Sequence, residues 1–245
     1  MKIARLLSCN LLVITAFALT ACGKSDDVLV VGTNAAFPPF EYVGGLSGDE
    51  IKGFDIDLAK QIAKDAGKTL KVENIKFDSL IVALNSGKID FIASGMTITP
   101  ERQASVDFST PYYEATQVVL LNKDNQDIQG IDDLKGKRIA VQLGATGDIM
   151  AKQFSTEVTA FNTGFEAIME LNNGKVDLVL FDSEPAANYL AKNPNLKLLK
   201  LPFTPEFYGF AVAKNNPELL NSINNTLKTL NSNGQYDALV STHMK

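Results

Sequence analysis

The stretch Leu80-Ile-Val-Ala-Leu-Asn-Ser-Gly-Lys-Ile-Asp-Phe-Ile-Ala-Ser-Gly95 has a second, weaker copy later in the chain. At an offset of 87 residues, Ala167-Ile-Met-Glu-Leu-Asn-Asn-Gly-Lys-Val-Asp-Leu-Val-Leu-Phe-Asp182 aligns with it without a gap and is identical at six of sixteen positions. Each copy combines an apolar helical pattern, a glycine turn and a short apolar run typical of a buried strand. A single copy does not indicate a solenoid. It predicts two similar α/β lobes, each with a strand that ends at a cleft.

The residues before the first copy complete the pattern of one lobe. Residues 28–32 are a short apolar, β-branched run typical of a buried parallel strand. A helical pattern over residues 58–66 stops at a glycine, and residues 72–75 predict a second strand. With the helix at 80–85 and the strand at 91–93, the order is strand, helix, strand, helix, strand. This order predicts a doubly wound α/β unit.

The remaining residues predict a second lobe and a return to the first. We expect strands at residues 117–121, 137–141 and 196–201, a helical turn at 131–136, and helices near 149–154, 183–192, 219–230 and 236–240. Extended segments near residues 112–116 and 207–210 carry the chain between the lobes, which predicts a hinge of two strands. We therefore assign residues 28–112 plus 210–245 to lobe 1 and residues 113–209 to lobe 2.

The first residues predict an export signal. Lys2 and Arg5 precede an apolar run at residues 11–19, which is too short to span a membrane as a helix. The stretch Leu19-Thr-Ala-Cys22 resembles the lipobox of bacterial lipoproteins, which implies removal of residues 1–21 and acylation of Cys22. Residues 22–27 are then the lipidated cysteine and a tether. We expect an exported lipoprotein, anchored to the membrane and facing the periplasm or the cell exterior.

Composition excludes several classes of function. Without residues 1–21 the chain carries 21 basic and 28 acidic residues, a net charge of −7 that argues against nucleic-acid binding. Because Cys9 lies in the signal and Cys22 is expected to be acylated, no disulfide is predicted. His243 is the only histidine, so a cysteine–histidine nucleophile or a histidine-ligated metal site has nothing to be built from. We expect no metal and no cofactor.

The stretch Ser94-Gly-Met-Thr-Ile-Thr-Pro-Glu-Arg102 predicts a receiver for a small carboxylate. Thr99 suits the N-cap of a helix, followed by a proline at the first helical position, so Arg102 falls in the first turn. Its guanidinium, nearby free amides and the hydroxyls of Ser94 and Thr97 together favour an anion. The alternative is an ordinary capped helix with a solvated arginine.

The second copy supplies an opposite wall. The first copy ends at Ser94-Gly95, whereas the second ends at Asp182. An acidic group that faces an arginine across a cleft matches a zwitterion, with Arg102 taking a carboxylate and Asp182 an ammonium group. The alternative for Asp182 is an N-cap of the helix after it. The loop from Gln142 to Gly147 lacks a phosphate-binding pattern, so amides and a threonine facing a small ligand fit it better.

Several motifs resemble one family, the type II extracellular solute-binding proteins for polar and basic amino acids of ABC importers. The matching motifs, in the right order over nearly the whole mature chain, are Gly32-Thr-Asn-Ala-Ala-Phe-Pro-Pro-Phe-Glu-Tyr42, Gly53-Phe-Asp-Ile-Asp-Leu58, Phe77-Asp-Ser-Leu80, Gly87-Lys-Ile-Asp90, Ser94-Gly-Met-Thr-Ile-Thr-Pro-Glu-Arg102 and Val106-Asp-Phe-Ser-Thr-Pro-Tyr-Tyr113. The resemblance implies two α/β lobes that close on one free amino acid.

The resemblance also implies roles for individual residues. Arg102, helped by Gly95 and Thr97, matches the carboxylate-binding arginine. Asp182 matches the ammonium-binding aspartate, and Thr146 a contact of the second lobe with the carboxylate. Phe37 and Phe77 match an aromatic pair that encloses the side chain of the ligand. Phe37 is expected on a stiff loop because two prolines follow it, and Phe40 is expected in the core.

The side-chain end of the ligand is less defined. Many relatives have an aspartate at the position of Asn34, where it receives basic ligands, so Asn34 weakens the case for a cation. Glu41 and Gln142 still offer acceptors. Arginine is slightly preferred over glutamine, lysine and histidine, and the choice depends on the direction of Glu41.

Two other functions compete with binding for transport. A dehydratase- or lyase-like enzyme on the same fold needs a general acid or base in the cleft, and every polar residue there already has a binding role. A sensory binding module normally needs a spanning helix and a further domain. We expect a monomer that binds a free L-amino acid, is held at the membrane by its lipid and delivers the ligand to permease subunits.

Overall fold

The computed structural model describes residues 27–45 and 48–244. The predicted signal and the predicted lipidation site at Cys22 lie outside the described residues. Within the described ranges, none of the helices combines the length and the apolar character needed to cross a bilayer.

The described residues alternate between strands and helices. In chain order the strands are β1 (Val28–Thr33), β2 (Ala36–Phe37), β3 (Glu41–Gly44), β4 (Glu50–Lys52), β5 (Thr69–Asn74), β6 (Phe91–Ile92), β7 (Val106–Phe108), β8 (Tyr113–Ala115), β9 (Gln117–Asn122), β10 (Ile139–Gln142), β11 (Val158–Phe161), β12 (Leu178–Asp182), β13 (Leu196–Leu199), β14 (Glu206–Tyr208) and β15 (Ala211–Ala213). The helices are α1 (Phe54–Asp65), α2 (Leu80–Asn85), α3 (Pro100–Ser105), α4 (Thr146–Ala151), α5 (Gly164–Asn172), α6 (Ser183–Lys192), α7 (Pro217–Ser232) and α8 (Gln235–His243), with 3₁₀ turns at Phe77–Ser79 and Ile131–Leu134.

Lobe 1 is built on a five-stranded sheet in the order β5-β1-β6-β15-β7. The first three strands are parallel, and β15 runs antiparallel to both of its neighbours. Alternate residues of β1 face opposite sides: Leu29 and Val31 pack in one core with α1 and α7, and Val30 packs in another with α2. Helices therefore cover both faces of this sheet, as a doubly wound lobe requires.

Lobe 2 repeats the arrangement with the order β11-β10-β12-β9-β13. Strands β11, β10 and β12 are parallel, and β9 is antiparallel to β12 and β13. Val118 and Leu120 pack on the side of α5 and α6, whereas Val119 and Leu121 pack on the side of α4. The prediction of two doubly wound α/β lobes is confirmed.

The chain crosses between the sheets on two strands that pair with each other. Strands β8 and β14 form a separate antiparallel sheet in which Tyr208 lies opposite Tyr113 and Phe207 opposite Glu114. We propose that the lobes move about this strand pair. The lobe boundaries given from the sequence stay a prediction.

Three local expectations were wrong. Phe37 lies in β2 rather than in a loop, because β2, β3 and β4 form a three-stranded antiparallel sheet around the cis peptide between Pro38 and Pro39. Helix α4 begins at Thr146, directly after the glycine loop and three residues earlier than expected. Strand β11 was not predicted, because its pattern has no clear apolar alternation and only its pairing with β10 defines it.

Candidate ligand-binding site

A cleft between the two lobes collects most of the predicted site residues. Its empty volume is about 290 Å³, including space open to solvent. It is lined by Phe37, Glu41, Phe77, Ser94, Gly95, Thr97, Arg102, Gln142, Ala145, Thr146 and Asp182. Ten predicted residues are present, Ala145 is an addition, and Asn34 lies just behind the wall.

Arg102 reaches across the cleft from α3. The hydroxyl of Thr99 accepts the amide of Arg102 at 3.2 Å, so the predicted N-cap is confirmed. One guanidinium nitrogen donates to the carbonyl of Thr97 at 2.7 Å and another to that of Gly144, in lobe 2, at 2.9 Å. The guanidinium also lies over the ring of Phe77, 5.3 Å from its centroid. Burial lowers the pKa of Arg102, and the nearby Asp182 and Glu206 oppose that shift.

Thr99 occupies one of the free helix amides that the sequence predicts for an anion. The amide of Arg102 is occupied by Thr99, and α3 has only six residues. Two of the five guanidinium N–H groups reach backbone carbonyls, which fix the fork and leave other donors for a ligand. The guanidinium therefore keeps charged N–H donors beside the cleft, and its role in anion binding stays a prediction.

Ser94 and Gly95 shape the floor beside Arg102. The Ser94 hydroxyl donates to Glu41 at 3.0 Å and accepts the amide of Asn34 at 3.0 Å. Gly95 has a φ of +48°, and a Cβ there would lie 2.7 Å from Cε1 of Phe37. Its amide donates to Asp55 at 2.8 Å. Only glycine fits this end of β6, because the ring of Phe37 fills the space of a side chain.

Asp182 forms the opposite wall and is oriented by two residues that sequence reasoning missed. Gln117 donates to Oδ1 at 2.8 Å, and the Tyr208 hydroxyl donates to Oδ2. Asp182 precedes α6 but makes no capping bond with its side chain, so the capping alternative is wrong. Burial, followed by the charge of the neighbouring Glu206, raises the pKa of Asp182 to about 6.

The role of Gln117 becomes clear only from the register of the sheet. It is the first residue of β9 and lies directly opposite Asp182 in the antiparallel pairing of β9 with β12. Tyr208 lies on the crossing strand β14 and is fully buried. Both contacts depend on strand pairings that join distant parts of the chain.

Glu41 is fully buried beside a second acid. Its Oε1 accepts from the Ser94 hydroxyl. The carboxyl of Asp55 contacts it, and Asp55 also accepts from the Tyr112 hydroxyl at 2.7 Å. Burial, followed by the charge of Asp55, raises the pKa of Glu41 well above its usual value. Burial raises the pKa of Asp55 to about 6, so these two neighbouring carboxyls do not ionise independently.

Asn34 and Gln142 bind each other across the lobes. Gln142 donates to the side-chain oxygen of Asn34 at 3.1 Å, and the amide nitrogen of Asn34 donates to the carbonyl of Ile75 at 3.0 Å. Both polar atoms of the Asn34 side chain are therefore hydrogen-bonded to protein groups. It positions Gln142, which does line the cleft.

The two predicted aromatic residues lie in the same cleft but in different surroundings. Phe37 is buried, with its ring edge-to-face against Phe181 of lobe 2 at 5.4 Å and tilted against Phe40 at 5.8 Å. Phe77 is half-buried and packs on Arg102. Phe40 is fully buried, as expected for a core residue.

Glu206 contacts residues that line the cleft and was not identified by the sequence analysis. It begins β14, and its Oε2 accepts from the hydroxyls of Thr146 at 2.7 Å and Thr97 at 3.2 Å and from Gln117 at 3.3 Å. The available signal was an acidic residue within a predicted crossing segment, where the chain passes the cleft. Among the described residues, there is no group of three or more histidine, cysteine, aspartate or glutamate side chains that could hold a metal ion.

Comparisons with known proteins agree with the family resemblance seen in the sequence. Residues 29–245 match the model of the bacterial extracellular solute-binding proteins, family 3. The arginine-binding extracellular protein ArtP of Bacillus subtilis (strain 168) is 38% identical over 237 residues, covering 91% of each chain. A probable histidine-binding protein of Neisseria gonorrhoeae is 36% identical over 256 residues, covering 97% of this chain and 92% of the relative.

A solved structure extends the agreement to three dimensions. An ancestral arginine-binding protein bound to arginine has a TM-score of 0.85 at 42% identity, and the match covers 89% of this chain and 99% of that chain. The predicted family resemblance is confirmed. This chain belongs to the bacterial extracellular solute-binding proteins, family 3.

Proposed function

We propose that this chain is the substrate-binding protein of an ABC amino-acid importer. It captures one free polar or basic L-amino acid between its lobes, with arginine preferred over glutamine, lysine and histidine, and delivers it to the membrane permease. The observation that carries the proposal is a guanidinium on one lobe and a buried carboxylate on the other, at Arg102 and Asp182, in one cleft. Opposite charges on opposite walls suit the two ends of a zwitterion.

Arg102 receives the α-carboxylate in this proposal. Its guanidinium is fixed by the carbonyls of Thr97 and Gly144 and by the ring of Phe77, so little side-chain entropy is lost on binding. A carboxylate accepts two parallel bonds from such a fork. Burial strengthens these charged hydrogen bonds because the local dielectric is low.

Asp182 receives the α-ammonium group. Gln117 and Tyr208 hold its two oxygens in place, and each oxygen keeps a lone pair for a further donor. Burial makes the charged form of Asp182 costly without a cation nearby. A bound ammonium group removes that cost, which makes ligand charge part of the affinity.

Glu41 decides the preference for arginine. Its carboxyl is buried in the same cleft as Phe37 and Phe77. Beyond the Ser94 hydroxyl, its polar neighbour is the carboxyl of Asp55, so among the described residues this acidic pair has no cationic donor beside it. A guanidinium supplies both the missing donor and a flat face for aromatic contact. Asn34, by contrast, is committed to Ile75 and Gln142. Similarity to ArtP, whose name gives arginine as its ligand, supports the same choice.

Calorimetry with a panel of L-amino acids tests the proposal. The purified protein is first unfolded and refolded to remove bound ligand, and then titrated with each amino acid. We expect one ligand to bind tightly at one site, with arginine the tightest. Bound ligand should also raise the melting temperature by mass action. Failure of every free L-amino acid to bind would refute the function, whereas tighter binding of glutamine would refute only the preference.

An enzyme on this fold is the alternative that one observation favours. Asp182 has a pKa of about 6 in a cleft, which also suits a general acid. Both oxygens of this carboxyl, however, accept hydrogen bonds from Gln117 and Tyr208, which fits a group held in place to bind a ligand. An NMR time course with the bound amino acid distinguishes the two functions. We expect the ligand to remain unchanged, and its consumption would establish an enzyme.

Anchoring and assembly complete the proposal. We infer that Cys22 is acylated, that the exported protein is a monomer and that its partners are permease subunits. Mass spectrometry of the N-terminal peptide from membranes tests the acylation, and an unmodified or absent Cys22 peptide with soluble protein would refute it. Chromatography with light scattering tests the monomer.

A further inference from the structure

The crossing strand β14 brings a third acidic side chain to the cleft. Glu206 is half-buried, and its Oε2 is within hydrogen-bond distance of Thr97 from lobe 1 and of Thr146 and Gln117 from lobe 2. The proposed function gives this carboxylate no role. Its three partners, however, are residues that line the cleft or orient Asp182.

The chemistry of these contacts fixes the direction of two hydroxyl groups. An ionised carboxylate only accepts hydrogen bonds, and a threonine hydroxyl has a single hydrogen to donate. In the contacts with Glu206, at 3.2 Å and 2.7 Å, Thr97 and Thr146 must therefore be the donors. Of the two side-chain N–H groups of Gln117, one is given to Asp182, and the other lies 3.3 Å from both Thr146 and Glu206. A bond from it to the Thr146 oxygen agrees with the same direction. Each hydroxyl is left with lone pairs only.

Hydroxyls fixed in this way present acceptors to a ligand. Together with Asp182 they make three acceptors, one on lobe 1 and two on lobe 2, and an ammonium group has three N–H donors. A carboxylate would instead meet lone pairs at both threonines and be repelled. The resemblance implied that Thr97 and Thr146 contact the carboxylate of the ligand, and this geometry favours the ammonium group for their hydroxyls.

We propose that Glu206 is a positioning residue that turns the hydroxyls of Thr97 and Thr146 into acceptors for the α-ammonium group, so that both lobes recognise this group. The inference rests on the proposed function. It names the α-ammonium group as the part of the ligand that the residues around Glu206 recognise. A ligand without the ammonium group leaves three acceptors in the cleft unpaired, two of them on the buried residues Thr97 and Asp182, which is costly. Glu206 acts through the threonines and makes no contact with the ligand in this account.

The test compares each amino acid with its analogue that lacks the α-amino group. The pairs are L-arginine with 5-guanidinopentanoic acid, and L-glutamine with glutaramic acid. Affinities are measured by calorimetry, with competition for the weak ligands, for the unaltered protein, for Glu206→Gln and for Glu114→Gln. Glu114 is an exposed carboxylate on β8, the strand paired with β14, and is the matched control.

Glu206→Gln should weaken binding of the amino acid about tenfold or more, because charged hydrogen bonds and the order of two hydroxyls are lost. Binding of the deaminated analogue should change by less than about threefold, so the discrimination between the two collapses. Glu114→Gln should leave both affinities unchanged. Thr146→Val should reduce the same discrimination, whereas Thr146→Ser should preserve it, which provides a second route if Glu206→Gln folds poorly.

Three results would overturn the inference while leaving the proposed function intact. Equal weakening of both members of a pair would assign Glu206 to hinge structure alone. Tighter binding by Glu206→Gln would mean that Glu206 repels the ligand carboxylate. Unchanged discrimination in Glu206→Gln and Thr146→Val would remove the hydroxyls from ammonium recognition. Failure of the unaltered protein to bind any amino acid would instead refute the proposed function.

Discussion

Lobe 1 and lobe 2 use the same sixteen-residue unit for the same structural task. In lobe 1, Asp90 accepts the amide of Val30 at 2.7 Å, which ties the start of β6 to the start of β1. In lobe 2, Asp177 accepts the amide of Arg138 at 2.8 Å and ties β12 to β10. Gly87 and Gly174 end the preceding helices with φ values of 73° and 69°. The shared residues thus build two equivalent strands.

The two units differ at the residues that follow the strand. In lobe 1, β6 ends at Ile92, and the chain continues through Gly95, where no side chain fits against Phe37, to Arg102. In lobe 2 the strand ends at Asp182 and passes directly into α6. One copy of the fold therefore delivers a cation to the cleft and the other an anion. The comparison separates residues that hold the fold from residues that hold the ligand, and mutations can test that separation.

Arg102→Ala should have the largest effect, a loss of binding of about a hundredfold or more, because a buried carboxylate loses its charged partner. The unfolding free energy of the ligand-free protein should fall by only about 1 kcal/mol, since two bonds to backbone carbonyls are lost. Calorimetry and thermal unfolding measure the two effects. Arg138→Ala is the control, because Arg138 forms an exposed pair with Asp177 and should leave affinity unchanged. A large loss of stability with Arg102→Ala would assign Arg102 a structural role.

Asp182→Asn should weaken binding about tenfold to a hundredfold, because the ammonium group loses its charged partner. The matched variant is Asp177→Asn, which changes a residue that the two copies of the repeated unit have in common. It should lower the unfolding free energy by about 1 kcal/mol without changing ligand affinity. The two variants should therefore have opposite profiles in the same pair of assays. If both variants changed affinity and stability in the same way, the proposed distinction between residues that hold the fold and residues that hold the ligand would be wrong.

Glu41→Gln should weaken binding of arginine about tenfold and leave glutamine within about threefold, since an amide cannot pair with a guanidinium charge. Ser94, which donates to Glu41, still has an acceptor in the variant. The ratio of the two affinities from calorimetry is the readout. An unchanged ratio would mean that Glu41 does not face the side chain of the ligand.

The last prediction concerns the pH dependence of stability and involves no ligand. The pKa values of Asp182 and Asp55 are raised to about 6 by burial, above the values of unfolded chains. The folded protein therefore binds protons more tightly, and this stabilisation is present at low pH and lost as the pH rises through 6. The ligand-free protein should be about 1 to 3 kcal/mol more stable at pH 5 than at pH 8 by urea unfolding. Asp182→Asn should reduce that difference, and an opposite pH dependence would contradict the burial argument.

The fold was largely predictable because its signals are local. Glycine turns, apolar runs and the repeated unit placed α2, β6, α5 and β12 correctly. Strands β2 and β3 were missed because Pro38 and Pro39 resemble a loop, and only the pairing of Ala36 with Tyr42 makes them strands. Pairings between distant residues leave no mark in a single sequence.

The two charged residues of the site were also predictable, but the residues that hold their neighbourhood in place by hydrogen bonds were not. Arg102 and Asp182 follow directly from the ends of the repeated unit. Gln117, Tyr208 and Glu206 reach the cleft only through the register of β9 with β12 and of β8 with β14. Polar residues on central or crossing strands have no sequence pattern that distinguishes a ligand site from an ordinary hydrogen bond.

The most direct test of the central claim removes the carboxylate from the ligand and the arginine from the protein in turn. Agmatine is arginine without its carboxylate. The affinities of L-arginine and agmatine are measured by calorimetry for the unaltered protein and for Arg102→Ala. If Arg102 holds the carboxylate, the substitution should cost L-arginine about a hundredfold and change agmatine by less than about threefold. An equal loss for both ligands would contradict the account.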